Sequence, residues 1–280
     1  MESALGKETT ATPMYLAHWG LNAAPFRNCL DPRRFFLAPT HDEALARLDF
    51  LAEQRRRLGL LFGRSGCGKS LVLEVFARQL RRSGCTAARL SLLGMDRDEF
   101  LWATAGALGM NPDPEMARGL LWSAIADRLT EFRLQRQRTV LLLDDVQTAP
   151  SEVIQQVARL VQNDPTPESG LTVVLACHAD QADRLGRRLL ELAELRVDLE
   201  PWSADDTANY LQASLRQAGR EAPVFDSSAA ARIHDLADGV PRRVNQLADM
   251  ALLAAAGQEL EHIDGPMIDE VFQELAVVES

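Results

Sequence analysis

The stretch that decides the fold lies at residues 58–70 and reads LGLLFGRSGCGKS. An apolar run at 58–62 precedes a glycine-rich turn, and residues 63–70 match the pattern G-x-x-x-x-G-K-[ST] in full. The apolar spacing that follows predicts a helix through about residue 82. A buried strand, this loop and a helix in this order are typical of a loop that binds phosphate groups.

The loop offers several kinds of group to a polyphosphate. Glycines let backbone N–H groups turn inward, and the helix N-terminus adds a partial positive charge. We expect Lys69 to place its ammonium on the β- and γ-phosphates and Ser70 to offer a hydroxyl to Mg²⁺. Of the 30 basic residues only Lys7 and Lys69 are lysines. A GC-rich genome is one explanation of this bias, and a need for a compact ammonium at position 69 is the other interpretation of the lysine kept there. The residues expected to contact the nucleotide are Gly63, Arg64, Ser65, Gly66, Cys67, Gly68, Lys69, Ser70 and Leu71.

Cys67 stands inside this loop, and two interpretations of it are open. It is either a small residue that the loop tolerates or a thiol whose pKa is lowered by the helix N-terminus, as in redox switches.

Polar side chains also follow two later apolar runs. Asp144 and Asp145 come directly after the run at 139–143, and His178 follows the run at 171–176. In a parallel sheet ligands gather at the carboxyl ends of the strands. We therefore expect Asp144 to hold Mg²⁺ and Asp145 to orient or deprotonate a water molecule. His178 is expected to polarise the γ-phosphate or that water.

Apolar runs alternate with helical patterns up to about residue 200. The runs lie at 58–62, 86–92, 139–143 and 171–176, and this alternation predicts a parallel sheet covered by helices on both faces. Helices are expected at 41–57 with Thr40 as N-cap, at 96–108, at 115–136 and at 151–162. From residue 201 only helical patterns remain, with Ser203 as an N-cap and Pro241 in a first turn.

We thus expect three regions. Residues 1–13 read as a flexible tail, residues 14–200 as an α/β nucleotide-binding domain, and residues 201–280 as a small all-α lid. Residues 14–40, rich in aromatic residues and proline without a helical period, are expected to form an irregular arm of the α/β domain. Arg242 opens a helix of the lid, where an arginine would reach the γ-phosphate.

Composition excludes several classes of protein. The 280 residues are 46% hydrophobic and 25% charged, which is ordinary for globular domains. No apolar run approaches the roughly 18 residues of a membrane span, and the start lacks a signal-peptide pattern, so we expect a cytoplasmic chain without a span. The net charge of −10 disfavours a chain that coats nucleic acid. The four cysteines lack metal-binding spacing.

Taken together, these motifs resemble an AAA+ P-loop ATPase, and more narrowly the ATPase module of the general secretion pathway protein A family. The family's opening pattern is similar to residues 15–26, YLAHWGLNAAPF, and its next patterns to DPRRFF at 31–36 and HDEALARL at 41–48. Its lid pattern is similar to GVPRRVNQLADMAL at 239–252. The resemblance covers nearly the whole chain, and it implies ATP and Mg²⁺ as ligands and an ATP-dependent homo-oligomer, such as a ring.

Three positions depart from the family pattern. Asp145 stands where the family usually has Glu, and His178 stands where it has Gln at the sensor strand. The Gln-Arg expected before the last strand is absent, because Leu192 takes the place of that arginine. Arg187, Arg188 and Arg196 remain as alternatives for an arginine that acts on a neighbouring subunit.

Two further functions stay open beside the favoured one. The resemblance implies an ATP-hydrolysing motor or switch for a secretion or pilus-type envelope assembly. The runner-up is a DNA-associated ATPase that regulates target selection in transposition, which the acidic charge disfavours. A nucleotide-binding scaffold with little turnover is the third, because Asp145 replaces Glu. The arginines that could line a ring channel for DNA, or that simply form solvated helix faces, are Arg55, Arg56, Arg57, Arg81, Arg82, Arg133, Arg136 and Arg138.

Overall fold

The computed structural model describes residues 14–278 except 114, 165 and 167–169. The tail expected at residues 1–13 lies outside the described residues. Contacts divide the chain into two units. The α/β unit is Leu30–Pro201, and the helical unit joins the described parts of Met1–Cys29 and Trp202–Ser280.

The described residues contain five strands and eleven α-helices. The strands are β1 (Leu58–Gly63), β2 (Thr86–Ser91), β3 (Thr139–Asp144), β4 (Leu171–His178) and β5 (Leu195–Leu199). The helices are α1 (Met14–Trp19), α2 (Pro39–Glu53), α3 (Lys69–Arg82), α4 (Arg97–Ala107), α5 (Arg118–Leu134), α6 (Ser151–Val161), α7 (Gly186–Leu192), α8 (Ala204–Gln217), α9 (Ser227–Ala237), α10 (Pro241–Gly257) and α11 (Gly265–Val278). Three short 3₁₀ helices lie at Pro32–Arg34, Val146–Thr148 and Ala179–Leu185.

The five strands form one parallel sheet in the order β2-β3-β4-β1-β5. The parallel sheet predicted from the alternating apolar runs is confirmed. Residues paired near the carboxyl ends include Gly63 with His178 and Ser91 with Asp144. Because all strands run in the same direction, the loops that follow them meet at one edge of the sheet.

Helices cover both faces of the sheet. On one face, alternate strand residues such as Leu60, Phe62 and Leu175 join the buried side chains of α4, α5 and α6 in one apolar cluster. On the other face, Leu51 of α2 packs so closely on Gly59 that an added Cβ would lie 2.5 Å from its Cδ2 atom. Truncating a buried leucine of this kind to alanine typically costs about 2–5 kcal/mol.

The helical unit packs α1 and α8–α11 around buried aromatic side chains. The indole N–H of Trp19 donates to the Leu252 carbonyl over 2.9 Å. The ring of Phe26 lies 5.8 Å from that of Phe225 and 6.1 Å from that of Tyr210. Ser203 caps α8 with a reciprocal hydrogen bond to Asp206, as predicted.

Part of the expected N-terminal arm differs from the sequence interpretation. Residues 14–29 group with the helical unit, and only 30–40 group with the α/β unit. Residues 14–19 form a helix, although the stretch shows no clear period. The physical reason is that Trp19 and Phe26 find their apolar partners among α8 and α10 and the loop before α9.

Several element boundaries also differ. The helix expected at 41–57 begins at Pro39 and ends at Glu53, so Thr40 is not its cap. The Thr40 hydroxyl instead accepts a hydrogen bond from the backbone N–H of Glu200 over 3.2 Å. α5 runs from Arg118 to Leu134 and is shorter at both ends than the 115–136 pattern, and Arg136, two residues beyond its end, has a positive φ of 58°.

Candidate nucleotide site

The predicted phosphate loop lies between β1 and α3. β1 ends at Gly63, and α3 begins at Lys69. Gly66 and Gly68 have φ angles of 86° and 96°, which favour glycine. A Cβ at Gly68 would also lie 3.0 Å from Nε2 of His41, and a Cβ at Gly63 would lie 2.9 Å from the Leu199 carbonyl oxygen. The loop conformation therefore needs glycine at these positions.

Lys69 is folded into the loop that precedes it. Its side chain is buried, and its ammonium donates to the carbonyls of Gly63 over 2.8 Å and Arg64 over 3.0 Å. Burial lowers the pKa of this lysine, and the nearby carboxylates of Asp144 and Asp145 oppose that lowering. The sequence prediction that this ammonium contacts β- and γ-phosphates stays a prediction.

The two predicted carboxylates lie beside this lysine. Asp144 is the last residue of β3 and is only 1% exposed. One of its oxygens accepts the backbone N–H of Asp145 over 3.0 Å, and the other accepts Arg89 over 2.6 Å. A carboxylate oxygen has a second lone pair, so both oxygens can still accept a bond from another ligand.

Asp145 adopts a left-handed backbone conformation, with φ 56° and ψ 32°. Its carboxylate accepts the hydroxyl of Ser91 over 2.8 Å. Left-handed geometry is uncommon for a residue other than glycine, and non-glycine residues in it occur more often at functional sites.

Sequence reasoning missed three side chains of this site. Arg89 contacts Asp144, and its guanidinium also lies 3.8 Å from Glu74 of α3. Ser91 contacts Asp145. His41, buried against the ring of Phe35, has its Nε2 atom 3.1 Å from the Cys67 carbonyl oxygen. For Arg89 and Ser91 the one available signal was that the edge strand β2 alternates polar and apolar residues at 89–91.

The remaining predicted residues lie in the α/β unit, except Arg242, which lies in the helical unit. His178 ends β4 opposite Gly63, and Ser70 and Leu71 lie in the first turn of α3. Arg64 and Ser65 are exposed in the loop. Arg242 belongs to the helical unit, where it lies in the first turn of α10 and its carbonyl accepts Asn28 over 3.4 Å.

The thiol of Cys67 does not fit the redox interpretation. Burial raises its pKa, and this effect outweighs the opposing effects of Lys69 and Arg64. A raised pKa keeps the thiol protonated and weakly reactive. Of the two interpretations, the small residue tolerated by the loop agrees with the structure.

The oxygen donors at the site suit a Mg²⁺ ion that is shared with water and phosphate groups. They do not suit a metal ion that is bound by protein side chains alone. No group of three or more His, Cys, Asp or Glu side chains in the described part of the chain could hold a metal ion. Mg²⁺ usually takes one or two carboxylates and completes its shell with water and substrate phosphates. The predicted Mg²⁺ ligands, Asp144 and Ser70, would supply one carboxylate and one hydroxyl.

Fold and site together define the class: the chain has the fold of the AAA+ P-loop proteins. A family model described as an AAA domain matches residues 52–185. Within this class the chain is similar to general secretion pathway protein A of Aeromonas hydrophila, with 30% identity over 247 residues. The match covers 86% of this chain and 45% of that protein, so the chain spans less than half of its curated relative.

Solved structures show the same fold at low sequence identity. Orc1 of Aeropyrum pernix, solved in complex with DNA, has a TM-score of 0.64 at 20% identity over 88% of this chain and 68% of that one. The RuvB Holliday junction branch migration motor of Thermotoga maritima has a TM-score of 0.57 at 14% identity, over 90% and 73% of the two chains. Within the described residues, no helix is both long and apolar enough to span a membrane.

Proposed function

We propose that the chain binds ATP with Mg²⁺ in the loop at residues 63–70 and hydrolyses it to ADP and phosphate. The observation that carries this proposal is the buried Lys69 ammonium, held within the loop and beside the carboxylates of Asp144 and Asp145. A desolvated positive charge enclosed by backbone groups favours a polyanion over water.

Each residue has a role in this proposal. Lys69 exchanges the carbonyls of Gly63 and Arg64 for phosphate oxygens. Ser70 and Asp144 hold Mg²⁺, which when bound neutralises charge on the phosphates. Asp145 orients the attacking water and accepts its proton, and Ser91 keeps the Asp145 carboxylate in place.

The two remaining candidates are proposed from their positions, one at the end of a strand and one at the start of a helix in the helical unit. His178 at the end of β4 and Arg242 at the start of α10 are proposed to contact the γ-phosphate. The proposed assembly is a homo-oligomer in which an arginine of one subunit completes the site of the next.

We further propose that hydrolysis drives a motor or switch for a secretion or pilus-type envelope assembly. The similarity to general secretion pathway protein A supports this pathway. A DNA-associated role in transposition has only fold-level support from the Orc1 structure, and the net charge of −10 disfavours it. A scaffold without turnover is the outcome if Asp145 does not support hydrolysis.

The test compares wild-type protein with Lys69→Ala in a titration with ATP and MgCl₂. Removing the ammonium leaves the phosphates without their positive partner, so ATP affinity should fall at least tenfold, about 1.4 kcal/mol. Arg78→Ala is the matched control, because Arg78 is an exposed cation on the same helix. Equal affinities for wild type and Lys69→Ala would contradict the proposed site.

A further inference from the structure

A second concave site lies in the α/β unit, on the segment that follows β2. It is a groove of about 730 Å³ formed by residues 93–95, by α4 and by the chain entering α5. Leu101 and Leu121 are buried beneath it, and Met95 and Met116 are half-buried at its sides. Its volume falls in the range of pockets that hold a ligand or a few side chains.

The groove presents apolar side chains to solvent. Leu93 is 69% exposed and Trp102 is 48% exposed, whereas the other three tryptophans, Trp19, Trp122 and Trp202, are at most 5% exposed. In the described part of the chain, no hydrogen bond is formed by the indole N–H of Trp102. Exposed tryptophan with a free donor is typical of residues that anchor protein–protein contacts.

The charged residues of the groove are mainly acidic. Asp98, Glu99 and Asp113 line it together with a single cation, Arg118. Arg118 is already paired with Asp98 through two hydrogen bonds of 2.6 and 2.8 Å, which hold the pKa of that aspartate below its usual range. The charges of Glu99 and Asp113 therefore remain without a cation of their own in the groove.

We propose that this groove docks a segment of a partner protein that carries apolar side chains flanked by lysine or arginine. The apolar side chains would cover Leu93 and Trp102, and the cations would lie near Glu99 and Asp113. Nucleic acid is disfavoured here, because its phosphates would meet the same acidic residues. Docking of this kind does not require ATP turnover, so the proposal does not depend on the function of the loop at 63–70.

The test measures binding of a fluorescein-labelled synthetic peptide built from leucine and lysine, by fluorescence anisotropy without nucleotide. We expect saturable binding that weakens at least about tenfold in the double variant Leu93→Ser/Trp102→Ser. Leu134→Ser is the matched control, because Leu134 is 76% exposed in the same unit but outside the groove, and it should bind as wild type. Thermal melts check that the variants are folded.

The charge requirement is tested separately. Glu99→Gln/Asp113→Asn removes two charges but keeps side-chain acceptors for the backbone N–H groups of Asp96 and Glu115. It should weaken the lysine peptide several-fold, and a peptide with glutamate in place of lysine should bind at least about tenfold less tightly.

Several results would overturn the proposal. Equal binding by wild type and Leu93→Ser/Trp102→Ser would show that the peptide binds elsewhere. Equal binding of the lysine and glutamate peptides would remove the charge argument. Self-association of the wild-type chain that the double variant abolishes would make a second copy the occupant. A DNA oligonucleotide that binds only with Trp102 in place would also contradict the proposed partner.

Discussion

Asp145 is the residue whose chemistry decides between an ATPase and a scaffold. Asp145→Asn preserves shape but removes the proton acceptor, so hydrolysis should fall about 100-fold or more while ATP affinity stays near wild type. Phosphate release and an ATP titration on the same preparation separate the two effects. Asp127→Asn, an exposed substitution on α5, is the control.

Normal hydrolysis by Asp145→Asn would show that another group orients the attacking water, and His178 is the next candidate. Absence of hydrolysis in the wild type as well, with ATP still bound, would favour the scaffold.

The cysteines predict a simple pattern of reactivity. Burial raises the pKa values of Cys67, Cys85 and Cys177, the last to about 11, whereas Cys29 is exposed. At pH 8 a thiol-specific disulfide reagent should therefore modify one thiol rapidly and the others only on unfolding. Cys29→Ser should abolish the rapid phase. Rapid modification of two or more thiols in the native protein would contradict the buried positions.

The same thiols give a pH dependence to stability. In the folded chain Cys177 keeps its proton up to about pH 11, whereas an unfolded thiol loses it near pH 8.5–9. The unfolded state therefore binds fewer protons in this window, and the free energy of unfolding should fall as pH rises through it. Urea midpoints measured at pH 8 and 10 under reducing conditions test this. Cys177→Ala should show a smaller decrease, and an equal decrease would assign the effect to other groups.

At the residue scale, sequence reasoning found side chains that lie close together along the chain. Lys69 and Ser70 belong to one contiguous loop, and Asp144 and Asp145 are adjacent. Arg89 and Ser91 were missed because they reach Asp144 and Asp145 from a neighbouring strand. Such contacts depend on strand order and register, which the spacing of apolar residues does not encode.

At the scale of elements, the turn from β1 into α3 depends on Gly68. Gly68→Ala would strain a backbone with φ 96° and would place a methyl group 3.0 Å from Nε2 of His41. We expect a loss of about 1–3 kcal/mol in stability and weaker ATP binding.

Gly84→Ala is the matched control for that substitution. Its φ is 78°, but no atom lies within 4 Å of the added methyl group. This variant should lose only the backbone component of stability and keep wild-type ATP affinity. Denaturant melts and ATP titrations of the two variants isolate the effect of the His41 contact, and identical behaviour would show that this contact is unimportant.

The sequence predicted the strands that are buried and apolar, but it did not predict β5. β1 and β3 are buried at every position, so their apolar runs were clear. β5 is an edge strand whose residues 196 and 198 are charged, and they form an ion pair of 2.8 Å with each other. α9 was missed because its residues are mostly small, although Asp226 caps it over 2.8 Å.

At the scale of the whole molecule, the sequence predicted two parts, because the apolar strand patterns end at about residue 200 and only helical patterns follow. The sequence did not predict the placement of residues 14–29, because an aromatic segment carries no signal that shows which of the two units it packs in. Trp19 and Phe26 could have packed in either unit, and only the partners Leu252, Tyr210 and Phe225 settle their place.

The three arginine candidates for a site shared between subunits lie on the surface of the α/β unit. Arg187 is almost fully exposed and is paired only with Glu191 of its own helix in the described structure. Arg188 donates to Gln162, and the guanidinium of Arg196 lies 4.8 Å from the centre of the Phe62 ring. Because the partner of Arg187 is a surface carboxylate and such exposed pairs contribute little, Arg187 can leave it at small cost to reach a neighbouring site.

If one of these arginines completes the site of an adjacent subunit, hydrolysis requires assembly. An arginine supplied in this way typically contributes about 10³–10⁵ in rate, so specific activity should rise with protein concentration. Arg187→Ala should reduce hydrolysis but leave ATP affinity unchanged, and Arg47→Ala, at an exposed ion pair on α2, should reduce neither.

Mixing two inactive variants gives the sharpest test of a shared site. Lys69→Ala protein keeps its arginines but cannot bind ATP well, whereas Arg187→Ala protein binds ATP but lacks the arginine. Interfaces formed between them contain one complete site, so the mixture should regain part of the wild-type activity. A mixture as inactive as its components, together with specific activity that does not depend on protein concentration, would place all catalytic groups in one chain.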